Sequence, residues 1–210
     1  MEFGHWLSLT AVLLLGAMSP GPSVAVVIGN TMRGGASHGY LTSIGHGAGI
    51  ALYAILTLAG LAVLLAGSPR LFLVLQVLGS LYLLWLGIKS MRSQGGSLDD
   101  NGHDTAGHGP AVSGFLIAFL NPKVAVFMLA LFSQFLDPQA GMAQKGLMVA
   151  TAGSVDAAWY ALVVAMVSRE AFLRRLRDNA KVIDRILGVI LVIVALSVLA
   201  RAVLEFNGAL

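Results

Sequence analysis

Three ionisable side chains stand inside long apolar segments of this sequence: Asp156, Lys123 and His46. A carboxylate near the middle of a membrane span costs about 3 kcal/mol on insertion scales, so Asp156 is a functional candidate. Burial favours the neutral form of a carboxyl group, which makes Asp156 a candidate proton carrier. Lys123 and His46 are its candidate partners. The structural alternatives are a buried hydrogen bond for Asp156, a helix–helix hydrogen bond for His46 and snorkelling for Lys123.

Proline interrupts two apolar segments, at Ser19-Pro20-Gly21-Pro22 and at Asn121-Pro122. Proline lacks an N–H and clashes with the preceding turn, so it frees backbone carbonyls. Broken backbone at membrane depth is tolerated where protein buries it or water reaches it. Each new half-helix begins with unpaired N–H groups and a partial positive charge, which suits a carboxylate. A single Pro is more often only a kink, but two breaks at corresponding positions indicate a transport site.

The elements that carry these residues are predicted to be transmembrane helices. The chain is 57% hydrophobic and 11% charged, whereas an ordinary soluble domain has about a quarter charged residues. Roughly 20 apolar residues in a helix cross about 30 Å of hydrocarbon. The pattern therefore predicts an all-α integral membrane protein with six transmembrane helices. The runs with at most one charge are 6–31, 40–66, 71–88, 112–136, 146–167 and 186–200.

The charges outside these runs predict the orientation. Nine of the 13 Lys and Arg residues fall in loops one, three and five, so these loops should be cytoplasmic and both termini outside. This bias accounts for the net charge of +3 without a nucleic-acid partner. Residues 1–5 contain no Lys or Arg, so the first segment is expected to be a retained helix rather than a cleaved signal. The chain has no Cys, which excludes disulfides and thiolate metal sites.

Two related halves are predicted. Residues 1–92 form the first three-helix unit, 93–111 a flexible cytoplasmic linker and 112–210 the second unit. An odd number of helices per unit implies an inverted 3+3 repeat with helices 1 and 4 both broken, a recurring transporter plan. Small-residue stretches in helices 2 and 5 each close on a tyrosine, Tyr53 and Tyr160. In the linker, Asp99, Asp100, His103, Asp104 and His108 could bind a metal weakly, although a solvated linker is the simpler interpretation.

The glycines of helix 2 and the aromatic residues of the spans are predicted to have structural roles. Gly45, Gly49 and Gly60 are predicted to allow close helix approach. The aromatic residues of the spans are predicted to form interfacial belts, with cavity lining as the alternative. They are Tyr53, Tyr82, Trp85, Trp159 and Tyr160.

Three other classes of protein are weaker alternatives. A divalent-cation transporter would need several carboxylates from facing helices, since hard cations take oxygen ligands. A membrane-embedded enzyme would need clustered His, Asp or Glu or an activated nucleophile, and the sequence has neither such a cluster nor a phosphate loop. A non-transporting membrane subunit leaves the paired helix breaks unexplained.

Four segments together resemble the LysE/RhtB family of bacterial amino-acid exporters. They are Ser19-Pro20-Gly21-Pro22 ahead of Arg33-Gly34-Gly35; Gly79 to Gly87; Gly114-Phe115-Leu116 through Asn121-Pro122-Lys123 to Phe135; and Val155-Asp156. The resemblance covers nearly the whole chain except the linker, which is longer than is typical. His46 is not part of the family pattern.

The resemblance implies an exporter of amino acids or related small metabolites in the bacterial inner membrane. It also implies six helices, coupling to the proton gradient, no cofactor and a homodimer. The proposed mechanism is alternating access, with the half-helix N-termini holding the substrate carboxylate and Asp156 either facing the amino group or carrying the proton. The predicted substrate-binding residues are Ser19, Pro20, Gly21, Pro22, Ser23, Asn121, Pro122 and Lys123, and the predicted coupling residues are Asp156 and His46.

Overall fold

A computed structural model of the chain describes residues 1–19, 21–92, 108–137, 139–167 and 178–208. These residues form an all-helical structure without a strand, as the sequence predicts. The helices are α1 Phe3–Met18, α2 Pro22–Gly67, α3 Pro69–Met91, α4 Pro110–Phe119, α5 Pro122–Phe135, α6 Met142–Val167 and α7 Ala180–Gly208. Pro20 and most of the linker, including Asp99, Asp100, His103 and Asp104, lie outside the described residues.

The first predicted interruption separates α1 from α2. Helix α1 ends at Met18, Ser19 and Gly21 are extended, and Pro22 is the first residue of α2. Proline is tolerated at this position because its missing N–H has no helical acceptor anyway. A second break inside α2 was not predicted: Gly35 has φ +73°, a left-handed conformation that favours glycine. The loop expected between residues 31 and 40 is therefore helical except at Gly35.

The second predicted interruption separates α4 from α5. The axes of the two helices differ by 61° across the break. Pro122 is the first residue of α5, and the Asn121 side-chain oxygen accepts a hydrogen bond from the Lys123 backbone N–H at 3.0 Å. This N-cap satisfies one of the donors that the start of the helix leaves unpaired. The local sequence thus both ends one helix and begins the next.

Several helices are long and apolar enough to cross a membrane. In the described part of the chain these are Pro22–Leu64, Leu73–Met91 and Met142–Val167, and the bent pair α4 and α5 makes a fourth if it is one span. Helix α1 is shorter but also apolar. Many large apolar side chains are exposed on these helices, including Ile44, Val63 and Leu162. Such a surface suits lipid rather than water, and the protein is a multi-pass membrane protein.

Glycines bring the helices of the two halves together at α2. A Cβ placed on Gly47 would lie 2.6 Å from the Gly153 carbonyl oxygen of α6, and one on Gly153 would lie 3.0 Å from the Gly47 carbonyl oxygen. Gly45 and Gly49 pack against the backbone of α4, as predicted, whereas Gly60 has no neighbour within 4 Å. Because glycine has only a hydrogen atom in place of a side chain, the backbones can approach this closely. Helix α2 is therefore packed tightly against both α4 and α6 at the depth of His46.

Candidate functional site

One cavity of about 820 Å³ lies between the two helix breaks. Its size falls in the range of about 300–1,000 Å³ that is common for small-ligand sites. The break between α1 and α2, the start of α5 and the middle parts of α2 and α6 form one part of its wall, and the end of α3 and the start of α7 form another. Its polar and charged lining residues are Ser19, Ser23, His46, Lys89, Ser90, Arg92, Asn121, Lys123, Asp156, Tyr160 and Asp184.

His46 and Asp156 form a buried pair in the wall of this cavity. The Nδ1 atom of His46 lies 2.6 Å from Oδ2 of Asp156. The two residues are only 2% and 7% exposed. Of the two candidate partners considered for Asp156, His46 is the one that contacts it. The pair joins α2 to α6, one helix from each half of the chain. Each buried polar group would be costly without a partner, and each is hydrogen-bonded to the other.

The other nitrogen of His46 has no partner in the described part of the structure. Nε2 is buried and makes no hydrogen bond there. With the shared proton on Nδ1, Nε2 of a neutral imidazole carries a lone pair. A second proton can therefore be added at Nε2 without breaking the hydrogen bond to Asp156. The pair can gain and release one proton while it remains joined.

Tyr160 is a site residue that the sequence analysis placed in an interfacial belt. It is fully buried, and its ring packs edge-on against His46 with the ring centroids 4.6 Å apart. The side chain of Ser23, at the start of α2, lies near its phenol in the same cavity wall. Tyr160 follows Asp156 by one helical turn, which places the two side chains on the same face of α6. That spacing was the signal in the sequence that could have assigned Tyr160 to the site.

The two helix breaks differ in how their N-termini are satisfied. Asn121 caps α5 with its side chain, whereas Gly21 has no side chain with which to cap α2. Because Pro22 lacks an N–H, the first donors of α2 are the backbone groups of Ser23 and Val24. The start of α2 is therefore the better of the two positions for an anionic ligand.

Lys123 connects the two breaks. It belongs to the first turn of α5, and its Nζ lies 3.5 Å from Oγ of Ser19 at the end of α1. Both residues line the same cavity as the uncapped start of α2. A carboxylate bound there would meet both backbone N–H groups and a positive charge, which strengthens such hydrogen bonds.

The structure brings together most of the residues predicted from the sequence. The predicted residues that line the cavity are Ser19, Gly21, Pro22, Ser23, His46, Asn121, Lys123 and Asp156. Pro122 begins α5 beside it, and Pro20 lies outside the described residues. In the described part of the chain, no group of three His, Asp or Glu side chains is placed to hold a metal ion.

A second cluster of charged residues was missed. Lys89 and Arg92 lie at the end of α3 and Asp184 near the start of α7, and all three line the same cavity. Lys89 and Arg92 were counted only among the loop charges that predict the orientation, and Asp184 was given no role. The contact between these helix ends, in which Ser90 donates a hydrogen bond to the Asp184 carbonyl at 2.7 Å, could not be predicted from the sequence.

Comparison with models of known protein families identifies the family of this chain. Residues 14–202 match the model of the LysE type translocator family. The chain belongs to this family. The resemblance found in the helix-break motifs is thereby confirmed, and it describes a family of translocators rather than of enzymes.

Relatives of this LysE type translocator include proteins with and without a named substrate. A leucine efflux protein of Klebsiella pneumoniae is 34% identical over 145 residues, which cover 66% of this chain and 68% of that protein. A leucine efflux protein of an Enterobacter strain is 32% identical over 146 residues, with the same coverage. An uncharacterized membrane protein of Bacillus subtilis is 27% identical over 199 residues, 88% of this chain and 95% of that one. No solved structure matches the translocator.

Proposed function

We propose that the protein is a proton-coupled secondary transporter that exports aliphatic amino acids by alternating access. The observation that carries this proposal is the buried His46–Asp156 pair in the wall of a cavity bounded by two broken helices. Intramembrane ionisable residues and paired helix breaks are both characteristic of transport sites. Membership of the translocator family and the leucine efflux relatives support export as the direction and an amino acid as the substrate.

The substrate carboxylate is proposed to bind at the start of α2. The donors there are the Ser23 and Val24 backbone N–H groups, and Lys123 supplies the positive charge. Asn121 holds α5 in place through its cap and thereby positions Lys123. Ser19, Gly21 and Pro22 are proposed to interrupt the helix here and thereby to expose these N–H groups.

The substrate side chain is proposed to contact the apolar part of the cavity wall. This wall comes from α1, α2, α3, α5 and α7, and its members include Leu13, Ile50, Leu86, Phe127, Met128 and Leu187. A wall of branched and aromatic side chains favours an aliphatic substrate of the size of leucine.

His46 and Asp156 are proposed to carry the coupling proton. One proton joins the pair, and Nε2 of His46 accepts the second. Adding a proton creates an imidazolium beside the carboxylate, so the net charge of the pair changes by one. A change of charge in a buried site alters the relative stability of the two orientations of a transporter, which is how a proton gradient would drive the cycle.

The two halves of the chain are proposed to form an inverted repeat of three spans each, 1–92 and 112–210, joined by the linker. Reciprocal glycine contacts support this. On α3 and α7, a Cβ on Gly87 would meet the Gly188 carbonyl oxygen at 2.8 Å, and one on Gly188 would meet the Gly87 carbonyl oxygen at 2.5 Å. The crossing of α2 and α6 at Gly47 and Gly153 is reciprocal in the same way. Such mutual contacts are expected between helices related by a two-fold pseudo-axis.

The proposed function includes a location in the membrane, an orientation and an assembly state. The resemblance to the family implies the bacterial inner membrane, and the charge bias of the loops favours cytoplasmic odd-numbered loops with both termini outside. A homodimer is expected from the resemblance to the family.

Efflux from preloaded cells tests the proposed function. Cells with and without the protein are loaded with dipeptides that release leucine, lysine or glutamate, and the amino acids that appear outside are measured over time. We expect leucine to be released selectively by cells that contain the protein and the release to stop when an uncoupler collapses the proton gradient. Release that is equal with and without the protein, when the protein is present in the membrane, would contradict the proposal.

A further inference from the structure

Asp184 is a second buried carboxylate in the cavity wall. It lies near the start of α7 and is 5% exposed. Its backbone carbonyl accepts a hydrogen bond from Ser90 at 2.7 Å. Among the described residues, however, no hydrogen bond or ion pair reaches its carboxylate oxygens. This distinguishes it from Asp156, whose carboxylate is bonded to His46.

The Asp184 carboxylate is largely withdrawn from bulk water, and such a charge is best satisfied by a partner that enters the cavity. Proteins retain such groups mainly where a ligand supplies the missing partner. Asp184 faces a cavity in which a small molecule can bind. A carboxylate calls for a cation that donates hydrogen bonds, and an amino acid carries such a group in its ammonium.

Two basic side chains line the same cavity as Asp184. Ser90 contacts Asp184, and its neighbours along α3, Lys89 and Arg92, also line the cavity. The Lys89 ammonium lies over the ring of Trp85, 5.0 Å from the ring centroid, which fixes it at the cavity edge. Asp184, Lys89 and Arg92 line one cavity and form no ion pair with one another in the described structure. Their opposite charges are complementary to those of a zwitterion.

We propose that Asp184, Lys89 and Arg92 form a second subsite of the cavity, which binds an amino acid with its ammonium group on Asp184 and its carboxylate on the two basic side chains. This inference rests on the proposed function, because it assumes that the transported molecule is an amino acid. The subsite lies at the contact of α3 with α7 and is distinct from the helix-break site near Lys123. It selects molecules that carry an ammonium group and leaves His46 and Asp156 free to handle the proton.

The test compares two competitors that differ only at the group in question. Radiolabelled leucine is exchanged across proteoliposomes that contain the full-length protein, and unlabelled leucine or its 2-oxo acid analogue is added as competitor. The analogue has the same side chain and carboxylate but no ammonium group. We expect the wild-type protein to prefer leucine and Asp184→Asn to raise the half-saturating concentration of leucine by about tenfold or more, which is the effect of losing one charge-assisted hydrogen bond. Competition by the oxo acid should not change.

Two further variants make the result decisive. Asp178→Asn removes the same charge from an exposed position just before α7 and should leave both competitors unaffected. Asp184→Glu keeps the charge and should keep the preference for leucine over the oxo acid, and it can be measured even if the Asn variant does not reach the membrane. A preference that is unchanged in Asp184→Asn, an equal loss for both competitors, or a preference that Asp184→Glu abolishes would each overturn the proposal. If the wild-type protein exchanges no amino acid at all, the proposed function fails instead.

Discussion

The ammonium group of Lys123, in the first turn of α5, lies 3.5 Å from the hydroxyl of Ser19 at the end of α1. The two residues are 104 positions apart and belong to the two interrupted helices. Their contact joins the two helix breaks, and both residues line the cavity together with the uncapped start of α2. The proposed carboxylate site is therefore built from both halves of the chain.

Replacing Lys123 by Gln should weaken leucine binding by about tenfold, the effect expected when a charge-assisted hydrogen bond to a carboxylate is lost. Leucine exchange in proteoliposomes measures the half-saturating concentration. Competition by leucinamide, which has no carboxylate, should be the same in the variant and the wild type. Lys145→Gln, at the start of α6, is the matched control. Equal losses for leucine and leucinamide would argue against a role in binding the carboxylate.

Asp156→Asn should abolish export driven by a proton gradient, because the neutral amide has no charge to stabilise the imidazolium that forms when Nε2 of His46 takes up the proton. Leucine exchange without a gradient should persist, since this variant retains a hydrogen-bonding group beside His46. The measurement is leucine movement in proteoliposomes with and without an imposed pH gradient. Gradient-driven transport at the wild-type rate would remove Asp156 from the coupling mechanism.

His46→Gln should show the same separation of driven transport from exchange. The double variant should be no worse than either single variant, because residues that act as one unit are not additive. Driven transport that falls further in the double variant than in either single one would mean that the two residues act independently.

Tyr160→Phe should retain the ring that packs against His46 and lose only the hydroxyl beside Ser23. We expect a stable protein whose rate of driven transport falls about fivefold, which corresponds to one ordinary hydrogen bond of about 1 kcal/mol. Ser23→Ala should have a similar effect, and the two changes together should cost little more than one. Rates that multiply in the double variant would show that the contact between these two residues is not what matters.

Gly47→Ala should lower the thermal stability of the purified protein. The added Cβ would lie 2.6 Å from the Gly153 carbonyl oxygen, and overpacking of this kind costs about 1–3 kcal/mol. Gly60→Ala, in the same helix, is the control, because a Cβ there meets nothing within 4 Å. The midpoint of thermal unfolding in detergent compares the two variants. A midpoint in Gly47→Ala as high as in Gly60→Ala would contradict the close crossing of α2 and α6.

Local sequence rules predicted the breaks and eight of the residues that line the cavity. Pro22 and Pro122 mark helix starts by their own covalent structure, so their effect is visible without the fold. The additional break at Gly35 was not predicted, because a glycine in a polar segment is equally compatible with a loop. Asp184 was missed for a related reason: it stands between basic residues near a helix start, where acids are usually solvated.

Tertiary contacts decided what the sequence left open. Both His46 and Lys123 were candidate partners for Asp156, and only the crossing of α2 with α6 selects between them. Tyr160 illustrates the same limit, since an aromatic residue in a span suits an interfacial belt and a buried site equally well. Its one-turn spacing from Asp156 has meaning only once Asp156 is known to face inward.

The close crossing of α2 and α6 also limits how these helices can move. Gly47 and Gly153 touch through their backbones one residue from His46 and three from Asp156. If either helix slid along the other by one turn, about 5.4 Å, the imidazole and the carboxylate would both be stranded in an apolar interior. Translation along this contact is therefore strongly opposed, whereas a small rotation about it leaves the hydrogen bond intact. In the proposed transport cycle, this crossing would act as a pivot, and the large displacements would occur in the helices farther from it.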